Sequence, residues 1–351
     1  MKGLLAGILL MTATAHAVPP TDLRHDGASR VRGAFVAIAP GARAAGMGEA
    51  FTAIADDPSA VSWNPAGMSQ PGAAGVLAMY DVIAENVGLG YVALGMPVGT
   101  GTAGVSLTAL SFGTYDLRGM DGLKTGVEGI TDVAAVASYC GRNPGWLGLT
   151  GWTGLSVEMV KESKGATIPA IGGGGVFPVG DDLTFGWAAQ HIGPATDGFT
   201  LPGALRGGVS LRASQAMRLS TDLGYLLASR AVVMAIGAEV VPIRGIALRA
   251  GGRIETGGGQ PRGLSGIAAG AGVKFGRLKL DYAFQPFGEL TTSHRLALVY
   301  IFDRPAAPEP EPAAALTVPP IAAPAQKPAK PKSARNPKPK PKPKPAPADG
   351  E

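Results

Sequence analysis

Residues 278–302 read LKLDYAFQPFGELTTSHRLALVYIF, and this C-terminal stretch decides the fold. In its first half, apolar and aromatic side chains alternate with Lys279, Asp281 and Ala283. The second half repeats the period of two, and its apolar set is Leu296, Leu298, Tyr300 and Phe302. Such alternation is typical of a strand with two different faces, and the Pro-Phe-Gly between the halves is a turn signal. The stretch therefore predicts a β-hairpin.

The same alternation recurs along the chain between clusters of Gly or Pro. It predicts about fourteen strands, near 73–82, 88–96, 102–113, 131–140, 146–159, 170–177, 183–191, 205–213, 217–226, 231–241, 244–253, 265–275, 277–285 and 293–302. Their connections are short at one end and mostly longer at the other, as in outer-membrane β-barrels. A sheet in a bilayer must close on itself, so we expect an all-β antiparallel barrel whose last strand turns its apolar set to lipid. A large soluble sandwich or barrel is the alternative.

The N-terminus has the features of a secretory signal peptide. Lys2 precedes an apolar run at 3–11 and the A-x-A site Ala15-His16-Ala17, and the run is too short to span a bilayer. An exported barrel of this kind is expected in the outer membrane of a diderm bacterium. The expected segments are a signal peptide at 1–17, an N-terminal segment and plug (the hatch) at 18–72, a transmembrane barrel at 73–302 and a disordered Pro/Ala/Lys-rich tail at 303–351.

The net charge of +5 lies outside the barrel. Residues 303–351 hold 9 Lys and Arg against 5 Asp and Glu, whereas residues 18–302 hold 21 of each sign and 50 of the 53 glycines. Because the basic excess belongs to the signal and tail of an exported chain, we expect no nucleic-acid partner. The single Cys excludes a disulfide scaffold and a Cys-rich metal site.

The sequence contains no recognisable catalytic or metal-binding motif. The glycine run at 172–175 lacks the Gly-Lys-Ser/Thr of a phosphate loop and predicts a kinked strand instead. The Asp pairs at 56–57 and 181–182 lie beside turn signals, which favours turns over acid–base chemistry. Three histidines lack metal-ligand spacing: His25, His191 and His294. We expect a protein that is not an enzyme, with no cofactor and no catalytic or metal-binding residues.

Residues 41–70 read GARAAGMGEAFTAIADDPSAVSWNPAGMSQ. This stretch resembles the N-terminal signature of the PorV/PorQ family of outer-membrane proteins, relatives of FadL-type barrels, and the last hairpin matches that family too. The resemblance implies a fourteen-stranded barrel with an N-terminal plug and no enzymatic chemistry. Glu49 departs from the family pattern, which usually has Gly there, and this weakens any expectation of tight packing. The matching hatch candidates are Arg43, Gly46, Met47, Gly48, Phe51, Asp56, Asp57, Trp63, Asn64, Pro65, Ala66 and Gly67.

The residues of this signature also predict a compact segment. The Ala-rich run from Arg43 to Ile54 predicts a short helix, which ends before Pro58 because proline disfavours helix in the preceding residue. Asn64-Pro65 favours a turn, and Gly67 permits unusual dihedrals. We expect a hatch in the barrel mouth that either moves as a gate or only braces the barrel.

Two functions follow from the resemblance. The PorV/PorQ likeness implies an accessory, cargo-binding or translocon-binding component of a type IX-like protein secretion system. The alternative is a FadL-like passive transporter of hydrophobic small molecules. A transporter should have an apolar cavity near the hatch and a break in the wall, whereas a secretion partner should expose apolar residues on the connections 114–130 and 192–204. Expected partners are outer-membrane lipid and a translocon or exported cargo.

The C-terminal tail, 303–351, lies outside the family pattern. Its Lys-Pro alternation at 337–345 predicts an extended polyproline rod, because proline fixes φ and removes a backbone donor. In outer-membrane barrels the last strand follows a long extracellular loop and ends at the periplasmic side. The tail is therefore expected in the periplasm. There it either binds peptidoglycan or another periplasmic partner, or is a solvated spacer.

Overall fold

A computed structural model describes residues 31–143, 150–196, 198–256, 266–286 and 292–303, together with Lys340 and Lys342. The expected signal peptide at 1–17, His25 and almost all of the tail at 303–351 lie outside the described residues. No described helix is both long enough and apolar enough to cross a membrane.

The described residues form fourteen strands. Each is hydrogen-bonded to its sequence neighbours, and β1 pairs with β14, so that the antiparallel sheet closes into a barrel. This confirms the predicted fold class. The strands are β1 Gly75–Ala84, β2 Val87–Val98, β3 Gly101–Arg118, β4 Lys124–Asn143, β5 Gly151–Lys161, β6 Thr167–Val179, β7 Leu183–Ile192, β8 Ala204–Ser214, β9 Met217–Leu226, β10 Ala231–Ile243, β11 Ile246–Glu255, β12 Ile267–Phe275, β13 Leu278–Pro286 and β14 Thr292–Ile301.

The prediction that 114–130 is a connection is wrong. β3 and β4 continue as a two-stranded hairpin, here called the long hairpin, that is paired from Thr114↔Gly129 to Arg118↔Lys124. The register shifts after Ser111, and Gly113 has a positive φ of 70°. Gly113 therefore lies in a bulge within a ladder that resumes beyond it.

The apolar positions of β14 lie on the outer face of the barrel. Leu296, Leu298 and Tyr300 are 53%, 46% and 44% exposed, whereas the alternate residues are buried in the lumen. Phe302 lies one residue beyond the end of β14, where its ring packs edge-on against Tyr300. The last strand thus has the predicted length but begins and ends one residue earlier than predicted.

Replacing Leu298 by arginine should impair assembly of the barrel. An arginine on the lipid face costs roughly 2–4 kcal/mol near mid-depth. The yield of heat-modifiable, folded protein in membranes measures the effect. The matched control is Met120→Arg at the fully exposed tip of the long hairpin, which should fold normally. Equal folding of the two variants would contradict the proposed lipid-facing register of β14.

The hatch lies inside the barrel and consists of short elements. They are a 3₁₀ turn Ala34–Ala37, α1 Ala42–Gly46, α2 Ala60–Trp63 and 3₁₀ turns Pro65–Ser69 and Pro71–Ala73. The helix predicted from Arg43 to Ile54 is wrong, because α1 ends at Gly46 and both Gly48 and Glu49 have positive φ values of 62° and 68°. The chain turns there to follow the wall.

Candidate functional site

The hatch contacts the barrel where the wall is made of glycine. A Cβ on Gly48 would lie 2.8 Å from the carbonyl carbon of Gly251, and one on Gly46 would lie 3.1 Å from the Cα of Gly270. A Cβ on Gly237 would meet the Met47 side chain at 2.9 Å. The Gly46-Met47-Gly48 segment is therefore packed backbone against backbone on the strands β10 to β12. This packing is tight although Glu49 departs from the family pattern.

Asn64 fixes the other side of the hatch. Its Nδ2 donates to the carbonyl oxygens of Thr52, at 2.8 Å, and Gly175, at 3.2 Å, and its Oδ1 accepts from Ala66 N. A Cβ on Gly174 would overlap this side-chain amide. Gly174, within the glycine run at 172–175 on β6, thus leaves the room that Asn64 of the hatch occupies.

Ion pairs join the hatch to the wall at the tight-turn end, where connections such as 215–216 and 244–245 lie. Arg43 donates to Glu239 from Nε at 2.7 Å and from Nη2 at 2.8 Å, and also to Asp56. Asp56 accepts a second bond, from Arg218 at 2.8 Å. On the wall, Arg249 bonds Glu239 at 2.7 Å. Two hatch residues and three strands are thereby linked through charge-assisted bonds.

The hatch carboxyl groups have opposite pKa shifts. Burial acts to raise the pKa of Asp56, but the charges of Arg43 and Arg218 outweigh it and hold the pKa at about 2. Burial likewise opposes the charge of Arg43, yet Asp56 and Glu239 keep its pKa well above the usual value. The pKa of Asp57 is raised by burial, because Arg43 is 3.9 Å away and offsets burial only in part. Asp56 is therefore charged at neutral pH and pairs with Arg43.

A column of rings and guanidinium groups crosses the hatch. Arg206 lies over the Trp63 ring at 5.2 Å, Trp63 meets Phe51 edge-on at 6.0 Å, and Arg43 lies over Phe51 at 5.5 Å. The Trp63 Nε1 donates to the Pro40 carbonyl at 2.7 Å. These contacts link the interior of the hatch to Arg206 on the wall.

A cavity of about 140 Å³ lies beside Trp63, toward the end with the longer connections. Its apolar walls include Val36, Leu89 and Val136. Arg206 also lines it, with a side chain only 8% exposed and an Nε that has no hydrogen-bond partner among the described residues. The cavity thus combines apolar walls with one unused donor.

The barrel ladder is interrupted beside this cavity. Ile171 pairs with Ile192 and Gly173 with Ala189, so two residues of β7, Gln190 and His191, oppose one residue of β6. His191 has a positive φ of 54°, which a non-glycine residue rarely adopts, and its Nδ1 lies 2.7 Å from Glu158. Gln190 donates to the backbone of the hatch at Ser62 and Trp63. The bulge turns both side chains into the cavity.

The sequence-predicted hatch residues lie together inside the barrel, and their wall partners were missed. The wall partners are Arg218, Glu239 and Arg249, which occupy inward positions on the neighbouring strands β9, β10 and β11. A charged residue at an inward strand position was the sequence signal that could have identified them. His294 lies on the outer face between Tyr282 and Phe284, away from the hatch. The described residues include no cluster of three or more His, Cys, Asp or Glu able to hold a metal ion.

No protein-family model and no curated protein matches the sequence. Solved structures match it in fold. A TodX deltaS2S3 mutant, described as a monoaromatic hydrocarbon channel, gives a TM-score of 0.52 at 11% identity, covering 75% of this chain and 99% of the other. The Pseudomonas putida toluene transporter TodX gives 0.49 at 12% identity, covering 74% and 96%. A Pseudomonas aeruginosa FadL homologue gives 0.47 at 12%, covering 74% and 98%.

At these identities the likeness concerns the fold alone. The chain has the FadL-like outer-membrane barrel fold, with fourteen strands around an N-terminal hatch. This fold is consistent with the predicted outer-membrane location.

Proposed function

We propose that this barrel carries hydrophobic small molecules across the outer membrane. The cavity beside Trp63 is the observation that carries the proposal, because its volume of about 140 Å³ suits one molecule of the size of benzene. The structural neighbour with the TM-score of 0.52 is described as a monoaromatic hydrocarbon channel, and a ligand of that class fits the same volume.

The surroundings of the cavity support a route past the hatch. The wall is closed, but it carries a bulge at Gln190 and His191 that lies at the cavity itself, and there we place the route of the solute. The hatch is held to the wall by ion pairs and by glycine contacts. We therefore assign the hatch the role of a brace around which the solute passes, with the tight-turn end facing the periplasm.

Filling the cavity should abolish uptake. Val36 lines the cavity and lies in a 3₁₀ turn, so Val36→Trp occupies the space with an indole ring. We expect uptake of labelled toluene by intact cells that lack other hydrocarbon channels to fall to the empty-vector level. Saturation-transfer NMR on the purified protein should likewise lose the toluene signal.

The control is Val105→Trp, which places the same ring on the outer face, where Val105 is 52% exposed. It should take up toluene like the wild type. Equal uptake by both variants, each verified as folded by heat modifiability, would exclude the cavity as the transport site.

A secretion role is the second candidate, and the long hairpin favours it. This hairpin extends past the paired rim and exposes Leu117 and Leu123 beside the fully exposed Met120. The connection at 192–204 differs from expectation, since Leu201 is buried and Arg32 covers the Phe199 ring. Trimming the hairpin at 115–128 should leave toluene uptake unchanged but release any co-purifying translocon. The secretion role that the PorV/PorQ resemblance implies depends on this second outcome.

A further inference from the structure

The lumen contains a second basin at its tight-turn end, apart from the cavity. It has a volume of about 190 Å³ and is lined by strands β10 to β13 and by Arg43 of the hatch. Lys274 of β12 and Lys279 of β13 both line it and stand directly opposite each other in the antiparallel register. Like charges directly opposite each other destabilise a sheet, so this pair calls for an explanation.

The carboxylates that line the basin form ion pairs with arginines and not with the two lysines. Glu239 accepts from Arg43 and from Arg249, and Asp281 accepts from Arg249 at 2.6 Å. Among the described residues, neither lysine forms a salt bridge within 4 Å. The two arginines that line the basin are thus paired with Glu239, Asp281 and Asp56, and the two ammonium groups are the cations left for a ligand.

The absence of a side chain at Gly272 leaves space for the ion pair that lines this basin. A Cβ at Gly272, between the two ion-paired residues, would lie 2.9 Å from Nη1 of Arg249 and would overlap Asp281. The Arg249 side chain is 4% exposed and held at both ends, so it is a fixed charge beside the two flexible lysines. A fixed guanidinium next to two mobile ammonium donors suits a compact anion with several oxygen acceptors.

We propose that this basin binds a phosphate-class oxyanion between Lys274 and Lys279. The ammonium groups donate to its oxygens, and its negative charge removes the repulsion between the paired lysines. Since both residues lie at inward positions of their strands, the ligand is a solute of the lumen mouth. Phosphate binding between these lysines does not depend on which molecule enters the cavity beside Trp63.

Binding of inorganic phosphate tests the proposal directly. Isothermal titration of the full-length protein in detergent, at constant ionic strength, is compared with Lys274→Gln/Lys279→Gln. Removing two charge-assisted bonds should weaken phosphate binding roughly tenfold or more. Phosphate should also raise the unfolding temperature of the wild type but not of this variant, because a ligand stabilises only the state that binds it.

The matched control is Lys340→Gln/Lys342→Gln, which removes the same charge from the tail. It should bind phosphate like the wild type. A second arm places the protein in nanodiscs of phosphatidylglycerol or phosphatidylcholine, to separate a lipid headgroup from a free anion. Stabilisation by phosphatidylglycerol alone would overturn the assignment to a solute. Phosphate binding that is equal in the basin variant and the wild type would overturn the site.

Discussion

Replacing Gly174 by valine is expected to prevent stable assembly of the barrel around the hatch. The new Cβ would overlap the side-chain amide of Asn64 and lie 2.9 Å from the Trp187 carbonyl oxygen. Asn64 is fully buried and bonds three backbone groups, so it cannot yield without losing them. Overpacking together with unsatisfied buried groups costs about 3–6 kcal/mol.

This loss is a large part of the stability of an ordinary domain, about 5–15 kcal/mol. The measurements are the folded fraction by heat modifiability and the urea midpoint by tryptophan fluorescence. Gly207→Val on β8 is the control, because a Cβ there has open space within 4 Å. It should match the wild type within about 0.5 kcal/mol. Equal stability of the two variants would show that the contact between Gly174 and Asn64 does not position the hatch.

The strands were predictable because their signals are local. Alternation along each strand and Gly or Pro at each turn depend on neighbouring residues, so most predicted bounds agree with the structure within a few residues. The prediction failed at the long hairpin because five glycines at 113–129 resemble a loop, although Gly126 and Gly129 are paired across the two strands. The helix predicted from Arg43 to Ile54 failed because the wall, 200 residues away in sequence, sets the path of Gly46-Met47-Gly48.

The hatch side of the site could be predicted from the sequence, whereas its partners on the wall could not. The hatch residues form a continuous signature, but Arg43 meets Glu239 across 196 residues of chain. Alternation shows that Glu239 points inward, and it does not show the height at which the hatch sits. That height follows from the glycine contacts and from barrel closure, which are tertiary. Arg206 and the bulge at Gln190 and His191 could not be predicted either, because their places beside the hatch also depend on tertiary contacts.

Replacing Arg43 by alanine is expected to loosen the hatch. It leaves Glu239 and Asp56 in the lumen with one cation each, and it removes the guanidinium that lies over Phe51. Breaking a buried ion pair from one side costs about 3–5 kcal/mol. Hydrogen exchange at 47–59 should therefore accelerate by at least about a hundredfold. Lys124→Ala removes an exposed pair with Asp116 and should cost within about 1 kcal/mol.

A double-mutant cycle assigns the effect to the pair. Arg43→Ala combined with Glu239→Gln should destabilise less than the sum of the single changes, because the second change removes the stranded charge. Toluene uptake then separates the two roles of the hatch. If the hatch is a brace, loosening it leaves uptake unchanged or lowers it as the cavity beside Trp63 distorts. If the hatch is a gate, the ion pairs hold it shut, and Arg43→Ala raises uptake above the wild-type level. That rise would contradict the brace, while the cavity would still stand as the transport site.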